Sequence, residues 1–355
     1  MSSAASSSYS ASSASSDAPL LEVTDLEVDF PTDDGVVKAV SGVSFTLMRN
    51  EVLGIVGESG SGKTVTALSI LGLLPSRARI RGSVRFRGRE LIGLSDSEMR
   101  PLRGDQIAMV FQDALTSLNP VHSVGRQISE AVSVHHDLSD DDLRARVVEL
   151  LELVGIPNPA QRASQYPHEY SGGMRQRAMI AMSIANDPAV LIADEPTTAL
   201  DVTLQAQVLE VLERIQDRTE LSIMLITHDL GVVAGIADRV TVMYAGRHVE
   251  RAPVDELFDA PRHPYTLGLL ASLPRLDQRT HGERLYRITG QPPSLVDLPP
   301  GCPFHPRCEF AALPEPCATD VPVAFETGPD HWSACHRWES IVGVTVEQLR
   351  SQQSA

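Results

Sequence analysis

The sequence predicts an α/β fold organised around one phosphate-binding loop. Residues 57–64 read GESGSGKT and fit the pattern G-x-x-x-x-G-K-[ST]. The apolar run Val52–Val56 precedes this loop, and a helical stretch follows it at residues 65–74. Elsewhere, short apolar runs alternate with amphipathic helices, which is typical of parallel βαβ units. These observations favour a phosphate-loop NTPase core, and the flanking strand and helix argue against a chance Gly/Ser-rich turn.

The residue types of the loop suit a polyphosphate. Its glycines let backbone N–H groups curl around an anion, and the helix that follows adds partial positive charge. Lys63 is expected to reach the β- and γ-phosphates, and the Thr64 hydroxyl to ligate Mg²⁺. The predicted phosphate contacts are Gly57, Ser59, Gly60, Ser61, Gly62, Lys63 and Thr64.

Strands and a helical stretch can be placed in order along the chain. Turn residues at 33–35 separate two strand runs, and Gly88 follows another. The first half is predicted to contain strands at residues 20–30, 36–47, 82–87 and 107–111. Residues 114–176 are mainly helical, with an apolar stripe at Leu143, Val147, Leu150, Leu151 and Val154.

The α/β pattern returns after this helical insert. An apolar stripe predicts a helix over residues 204–215, and strands are predicted at 190–193, 223–226 and 240–243. Prolines become frequent from residue 253, which favours a small irregular module at the C-terminal end. Residues 2–16 contain only Ser, Ala and Tyr, so residues 1–19 are predicted to be a disordered tail.

Polar residues at strand ends supply hydrolytic chemistry. Asp194 ends a strand where phosphate-loop NTPases hold Mg²⁺, and Glu195 can accept a proton from an attacking water. Gln112 ends another strand, where its amide could touch both Mg²⁺ and the water. His228 ends a third strand and could bond the γ-phosphate. Taken singly, each of these has a structural explanation, and only their combination argues for function.

A second anion-binding feature lies at residues 171–177, which read SGGMRQR. Ser171 is a suitable N-cap for the helix that follows, and two glycines at a helix start favour an anion. This feature and the phosphate loop could hold one nucleotide only where they meet, for example across a dimer.

Together these motifs resemble the ATPase subunit of an ABC transporter, in that family's order, over roughly residues 20–252. The resemblance implies a RecA-like core with an antiparallel β subdomain and a helical insert, within a domain at residues 20–255. It makes Gln112, Glu195 and His228 the catalytic residues. It also implies ATP contacts from Phe30, Ser171, Gly172, Gly173, Gln176, Asp194 and Asp201, with Asp201 in a loop at residues 199–201.

The resemblance also implies partners. Two such subunits would enclose ATP head to tail, and closure would drive membrane subunits docked on the helical insert. Residues 166–177 and 263–266 resemble oligopeptide/dipeptide permease ATPases, and Met174 resembles the first subunit of their heterodimeric pair. The expected assembly adds a second ATPase, two permeases and an external binding protein, at the cytoplasmic face of the membrane.

Other functions stay open at this level. Close relatives of that subfamily import nickel or other small solutes, and some soluble ABC ATPases act on DNA or in translation. The net charge of −16 argues against a protein that coats nucleic acid, so no nucleic acid partner is expected. No run approaches the ~18 apolar residues of a membrane span.

All four cysteines lie after residue 300, at Cys302, Cys308, Cys317 and Cys335. Four thiolates can hold a 4Fe-4S cluster or a zinc ion. The chain has no C-x2-C pair, which disfavours a zinc ribbon, and the pattern resembles the C-terminal extension of peptide-permease ATPases, here residues 256–355. A cluster is the favoured prediction, with zinc, disulfides or free thiols as alternatives. His305, His331 and His336 could substitute as ligands.

Overall fold

The computed structural model describes residues 18–112, 118–198, 200–273 and 286–353. Most of the predicted tail at 1–19, the start of the helical insert and Ala199 lie outside these ranges. The predicted α/β class with an antiparallel β subdomain is confirmed, because the described chain forms two sheets flanked by helices.

The smaller sheet is antiparallel and has the order β2-β1-β4-β5. The turn at residues 33–35 joins β1 to β2 as a hairpin, as the sequence predicts. Its strands are β1 (Leu21–Thr32), β2 (Gly35–Leu47), β4 (Arg79–Phe86) and β5 (Arg89–Glu90).

The larger sheet has eight strands in the order β11-β12-β10-β9-β3-β8-β7-β6. Strands β9, β3, β8, β7 and β6 are mutually parallel, whereas β10, β12 and β11 add antiparallel pairs at one edge. These strands are β3 (Val52–Val56), β6 (Ile107–Val110), β7 (Val190–Asp194), β8 (Ser222–Thr227), β9 (Arg239–Tyr244), β10 (Arg247–Pro253), β11 (Phe325–Gly328) and β12 (His331–Ser333).

Helices cover both faces of the larger sheet and build the helical insert. In the insert, Ser123 and Ser139 cap the starts of two helices with their side-chain oxygens. The helices are α1 (Lys63–Ile70), α2 (Asp96–Met99), α3 (Val124–Ser133), α4 (Asp140–Leu153), α5 (Pro159–Arg162), α6 (Gly172–Ser183), α7 (Val202–Arg218), α8 (Leu230–Ala234), α9 (Val254–Asp259), α10 (Pro264–Ala271), α11 (Trp338–Ile341) and α12 (Val346–Gln353).

Strand β3 divides the core into two. Val52 and Val56 face one apolar cluster with the insert helices, while Leu53 and Ile55 face another with the smaller sheet. Successive strand residues point to opposite faces, so a strand that is apolar throughout is buried on both sides. Because β3, β6, β7 and β8 are parallel, their carboxyl ends lie at one edge of the sheet, and the polar residues that follow these strands are brought together there.

The C-terminal region is joined to this core by a buried carboxylate. Glu250 on β10 is fully buried and accepts hydrogen bonds from the backbone N–H groups of Arg262 and His263. His331 on β12 places Nε2 2.8 Å from the same carboxylate. The proposed boundary at 255/256 stays a prediction, and across it β12 extends the core sheet by pairing with β10.

Candidate nucleotide-binding site

The loop at residues 57–64 leaves β3 and turns directly into α1. Gly62 has φ +101°, and a Cβ there would lie 2.5 Å from the carbonyl oxygen of Ala39. A Cβ on Gly57 would collide with the carbonyl oxygen of Met243. Both positions therefore require glycine, for backbone conformation at one and for close approach at both.

Lys63 is the buried cation at the centre of this loop. Its Nζ donates hydrogen bonds to the carbonyl oxygens of Gly57, at 2.7 Å, and Glu58, at 3.0 Å. Burial lowers the pKa of Lys63, while the charges of Glu195 and Asp194 oppose that effect. The ammonium thus faces both carboxylates that the sequence assigns to hydrolysis.

Asp194, at the end of β7, has the properties of a magnesium ligand. Burial raises the pKa of its carboxyl, and the facing Thr64 side chain opposes this shift. Its Oδ1 is buried and has no hydrogen-bond partner among the described residues. Carboxylate, hydroxyl and amide oxygens are suitable ligands for Mg²⁺, so Asp194 and Thr64 fit the ion. Gln112, the third predicted ligand, is hydrogen-bonded to Glu195, the residue that follows Asp194.

Glu195 is the point at which three predicted residues meet. Gln112 Nε2 donates to its Oε2 across 2.9 Å, and His228 Nδ1 lies 3.3 Å from its Oε1. The Thr198 hydroxyl, which the sequence analysis did not single out, donates to the same carboxylate at 2.7 Å. Glu195 has φ +48°, and its N–H bonds to the carbonyl of Ile226 at 2.8 Å.

The electrostatics of Glu195 keep its carboxylate ionised. Burial would raise its pKa, but hydrogen bonds from Thr198 and His228 and the charge of Lys63 outweigh burial, so the pKa is lowered. The carboxylate is therefore ionised at neutral pH. An ionised carboxylate next to the phosphate loop can accept a proton from water.

The second anion-binding feature forms the start of α6. Ser171 accepts a hydrogen bond from the N–H of Met174 at 3.3 Å, so the predicted N-cap is confirmed. Gly173 packs against Leu204, and Gln176 is buried with an Nε2 that has no partner among the described residues. Within the described chain, no hydrogen bond or ion pair joins Ser171–Gln176 residues to the phosphate loop. Their role toward ATP stays a prediction.

Two other predicted ATP contacts have local structural roles. Asp201 caps α7, accepting from the N–H groups of Thr203 and Leu204 at 3.0 Å each. Phe30 is half-buried on β1 and packs against the core of the smaller sheet. Their contacts with nucleotide stay predictions.

The four cysteines converge as free thiols. Burial raises the pKa of Cys308 to about 12, and the charges of the other three thiols add to it. Backbone N–H groups two residues beyond Cys302, Cys308 and Cys335 face the respective sulfurs, that of Arg337 at 3.3 Å. In the residues that the structure describes, no group of three or more His, Cys, Asp or Glu is arranged to hold a metal ion.

The three candidate histidines have other partners. Nδ1 of His305 lies 2.9 Å from the Cys302 carbonyl, and Nε2 of His336 lies 2.9 Å from that of Asp320. His331 is bonded to Glu250. Histidine ligation is therefore disfavoured.

Residues beyond those predicted from the sequence connect the C-terminal region to the phosphate loop. Arg307 forms a bidentate ion pair with Glu58, the second residue of the loop, although they are 249 positions apart. The Tyr265 hydroxyl accepts a hydrogen bond from the N–H of Glu58 at 2.9 Å. The one sequence feature that indicates such a partner is Glu58, the acidic residue within the loop pattern.

The phosphate loop, the carboxylates ending β7, and the glutamine and histidine that converge on Glu195 define an ATP-binding cassette ATPase. The "ABC transporter" family model matches residues 40–198, and the "Oligopeptide/dipeptide transporter, C-terminal region" model matches residues 249–314. The chain belongs to the ATP-binding subunits of ABC transporters, of the oligopeptide/dipeptide type.

Curated relatives agree with this assignment. The chain is 54% identical over 294 residues to the oligopeptide transport ATP-binding protein OppD of Bacillus subtilis, covering 82% of each protein. It is 53% identical over 312 residues to a putative peptide import ATP-binding protein of Brucella abortus, covering 88% of this chain and 93% of that protein. It is also 53% identical over 332 residues to OppD of Mycobacterium tuberculosis, but spans only 54% of that longer protein.

Solved structures confirm the fold. The ATP-binding cassette MJ0796, in a dimeric post-hydrolysis state bound to ADP and Pi, matches with TM-score 0.59 and 24% identity over 66% of this chain and 98% of that one. CbiO1 of Clostridium perfringens, part of the complex cbiONQ, matches with TM-score 0.59 and 30% identity over 68% and 90%. Among the described residues, no helix combines the length and apolarity needed to cross a bilayer.

Proposed function

We propose that this chain binds and hydrolyses ATP to energise the uptake of dipeptides and oligopeptides through a membrane permease. The observation that carries the hydrolytic part is the meeting of Gln112 and His228 on the Glu195 carboxylate. The peptide substrate rests on relatives that are named for peptide or oligopeptide transport. The subunit would work peripherally, at the cytoplasmic face of the membrane.

The chain's own residues divide the hydrolytic work. Lys63 and the loop N–H groups bind the β- and γ-phosphates, because the loop presents one cation and several donors to them. Glu195 orients the attacking water and takes its proton, and Gln112 and His228 hold the carboxylate in place. Asp194 and Thr64 would hold Mg²⁺, with Gln112 near it, and the bound ion would neutralise charge on the phosphates.

The dimer completes the site in this proposal. In the described structure, no hydrogen bond or ion pair joins the phosphate loop of the same chain to Ser171, Gly172, Gly173, Gln176 or Asp201, which is consistent with their serving a nucleotide held by a partner subunit. Ser171 and Gly173 start a helix, and a helix start attracts phosphate. Met174 resembles the residue found at this position in the first subunit of heterodimeric peptide-permease ATPases. It therefore supports a heterodimer in which this chain is the first of two non-identical ATPases.

Permease docking near Gln112 is supported by surface chemistry. Phe111 and Val121 are 46% and 71% exposed on either side of residues 113–117. Exposed apolar side chains are available for contact with a protein partner. The proposed assembly, with a second ATPase, two permeases and an extracytoplasmic binding protein, rests on the match to oligopeptide/dipeptide transporters.

We further propose that the four cysteines hold a 4Fe-4S cluster that staples the C-terminal region. Their convergence and the backbone N–H groups facing three sulfurs support this, because such donors stabilise thiolates bound to iron. In the residues that the structure describes, no group of three or more His, Cys, Asp or Glu is arranged to hold a metal ion, so the proposal rests on the four thiols and their backbone donors. Cys302, Cys308, Cys317 and Cys335 would be its ligands.

Peptide transport can be tested on the assembled transporter. The chain would be co-expressed with the permease, binding-protein and second ATPase subunits of its own cell, and ATP hydrolysis measured in lipid vesicles. We expect dipeptides or oligopeptides to stimulate hydrolysis and to enter the vesicles. Stimulation by Ni²⁺ alone would favour the alternative of a nickel importer. Failure to assemble with any permease would favour an ATPase outside transport.

A further inference from the structure

The C-terminal region holds the phosphate loop through one buried arginine. Arg307 lies in the short 3₁₀ turn His305–Arg307, between two of the cysteines. Its Nη1 donates to Oε2 of Glu58 at 2.9 Å, and its Nη2 donates to Oε1 at 3.1 Å. The side chains are only 7% and 25% exposed, so this bidentate pair is shielded from water.

Other contacts hold the arginine in one orientation. Its Nε donates to the carbonyl oxygen of Thr289 at 3.0 Å, and its Nη1 also reaches the Tyr244 hydroxyl at 3.3 Å. The guanidinium carbon lies 5.7 Å from the centre of the Tyr244 ring and 6.0 Å from that of Phe304. Because these contacts hold the guanidinium in one position, it cannot follow Glu58 if the loop moves, and it acts as an anchor.

Glu58 is held at its backbone as well as its side chain. Its N–H bonds to the Tyr265 hydroxyl, and its carbonyl accepts a hydrogen bond from Lys63. The Glu58 charge also reaches Lys63, where it opposes the lowering of the lysine pKa by burial. A carboxylate so close to the phosphate-binding lysine would repel a triphosphate unless its charge were balanced.

We propose that Arg307 is a positioning residue for ATP binding, which neutralises the Glu58 carboxylate and holds the phosphate loop in the shape that accepts the triphosphate. Arg307 acts through Glu58 and belongs to no part of the hydrolytic machinery. The inference rests on the proposed ATP binding and is independent of the transported solute.

A charge-paired set of variants tests this proposal. Arg307→Gln leaves Glu58 unbalanced, and we expect the Kd for ATP to rise about tenfold. Glu58→Gln removes the repelling charge but keeps an amide oxygen that Arg307 can bond, so the Kd should stay within about twofold of wild type. The double variant Arg307→Gln/Glu58→Gln has neither charge, and the Tyr265 hydroxyl still holds the N–H of residue 58, so ATP affinity should return to within about threefold of wild type.

The measurements separate positioning from general damage to the fold. Equilibrium binding of a fluorescent ATP analogue gives Kd, and steady-state hydrolysis should show a raised KM with kcat changed less than about twofold. Arg146→Gln is the control, because Arg146 is half-buried in the helical insert and, like Arg307, is paired with an acid, here Asp187 at 2.7 Å. It should leave the Kd unchanged.

Two results would overturn the proposal. One is an Arg307→Gln variant that binds ATP as wild type does, and the other is a double variant as weak as Arg307→Gln alone. If Arg307→Gln does not fold, Tyr265→Phe tests the same anchor, because it removes the acceptor of the Glu58 N–H. We then expect a Kd raised about threefold in a protein that still unfolds cooperatively, with a melting temperature a few degrees lower, and a wild-type Kd would contradict the proposal.

Discussion

Gln112 and Glu195 are 83 positions apart in the chain, yet the amide Nε2 of one donates to the carboxylate Oε2 of the other across 2.9 Å. The two residues follow β6 and β7, which are adjacent parallel strands. This bond joins the residue next to the proposed permease-docking surface to the proposed general base. A movement of residues near 112 would therefore directly displace the Glu195 carboxylate, the proposed general base.

Glu195→Gln should abolish hydrolysis while preserving ATP binding. The amide keeps the shape and the contacts with Gln112 and Thr198 but cannot accept a proton, so kcat should fall at least about 100-fold. Phosphate release and equilibrium ATP binding are the measurements. Glu210→Gln, on the exposed face of α7, is the control. Near-normal turnover in Glu195→Gln would remove this residue from the base role.

Lys63→Ala should lose affinity for ATP, because the buried cation of the phosphate loop is removed. We expect the Kd for ATP to rise about 100-fold or more. Lys38, the other lysine of the chain, is exposed on β2, so Lys38→Ala provides a matched loss of charge that should leave the Kd unchanged. Equal affinities in the two variants would contradict the assignment of the loop.

The acid limit of hydrolysis should depend on Thr198. The pKa of Glu195 lies below its ordinary value of 4.5, so kcat should fall only as pH drops through that lowered pKa. Thr198→Val removes a hydrogen bond that stabilises the carboxylate, and should shift the acid limb of the pH–kcat profile to higher pH. Thr219→Val, which alters a helix end elsewhere, should not shift it. An unmoved limb in Thr198→Val would show that another group sets it.

The same lowered pKa has a consequence for stability. An acid whose pKa is depressed by folding stabilises the native state at pH values above its unfolded pKa, and this contribution is lost as pH falls through the folded pKa. Thr198→Val should therefore narrow the difference in stability between neutral and acidic pH. Urea unfolding at several pH values measures it.

Cys302→Ser should remove iron from protein prepared without oxygen. A 4Fe-4S cluster needs all four thiolates, so the brown absorbance near 400 nm should be lost along with the bound iron and sulfide. Metal analysis and the visible spectrum provide the measurement, and Ser333→Ala is a control at a nearby buried position. A colourless wild-type protein containing one zinc would overturn the cluster proposal.

Glu250→Gln should loosen the junction between the C-terminal region and the core sheet. The buried carboxylate accepts from two backbone N–H groups and faces His331, and an amide cannot accept from all three. We expect a loss of about 2–4 kcal/mol in the free energy of unfolding. Urea denaturation measures it, with exposed Glu256→Gln as the control. A change below about 0.5 kcal/mol would show that the junction depends on other contacts.

The sequence by itself determined the parts of this protein that depend on neighbouring residues. The phosphate loop, its flanking strand and helix, the apolar runs of β3, β7, β8 and β9, and the cap at Ser171 all follow from short patterns, because turn conformation, strand burial and capping are local properties. The class of ATPase followed from those patterns in their order.

Only the tertiary structure decided which distant residues meet. Three such features depend on the path of the chain after residue 256: the pairing of β12 with β10, the burial of Glu250 and the ion pair of Arg307 with Glu58. The hydrophobic pattern of that region does not predict its path. A buried arginine needs an acidic partner, but the sequence contains 46 Asp and Glu residues and does not indicate which of them is the partner. Packing of the C-terminal region against the loop selected Glu58.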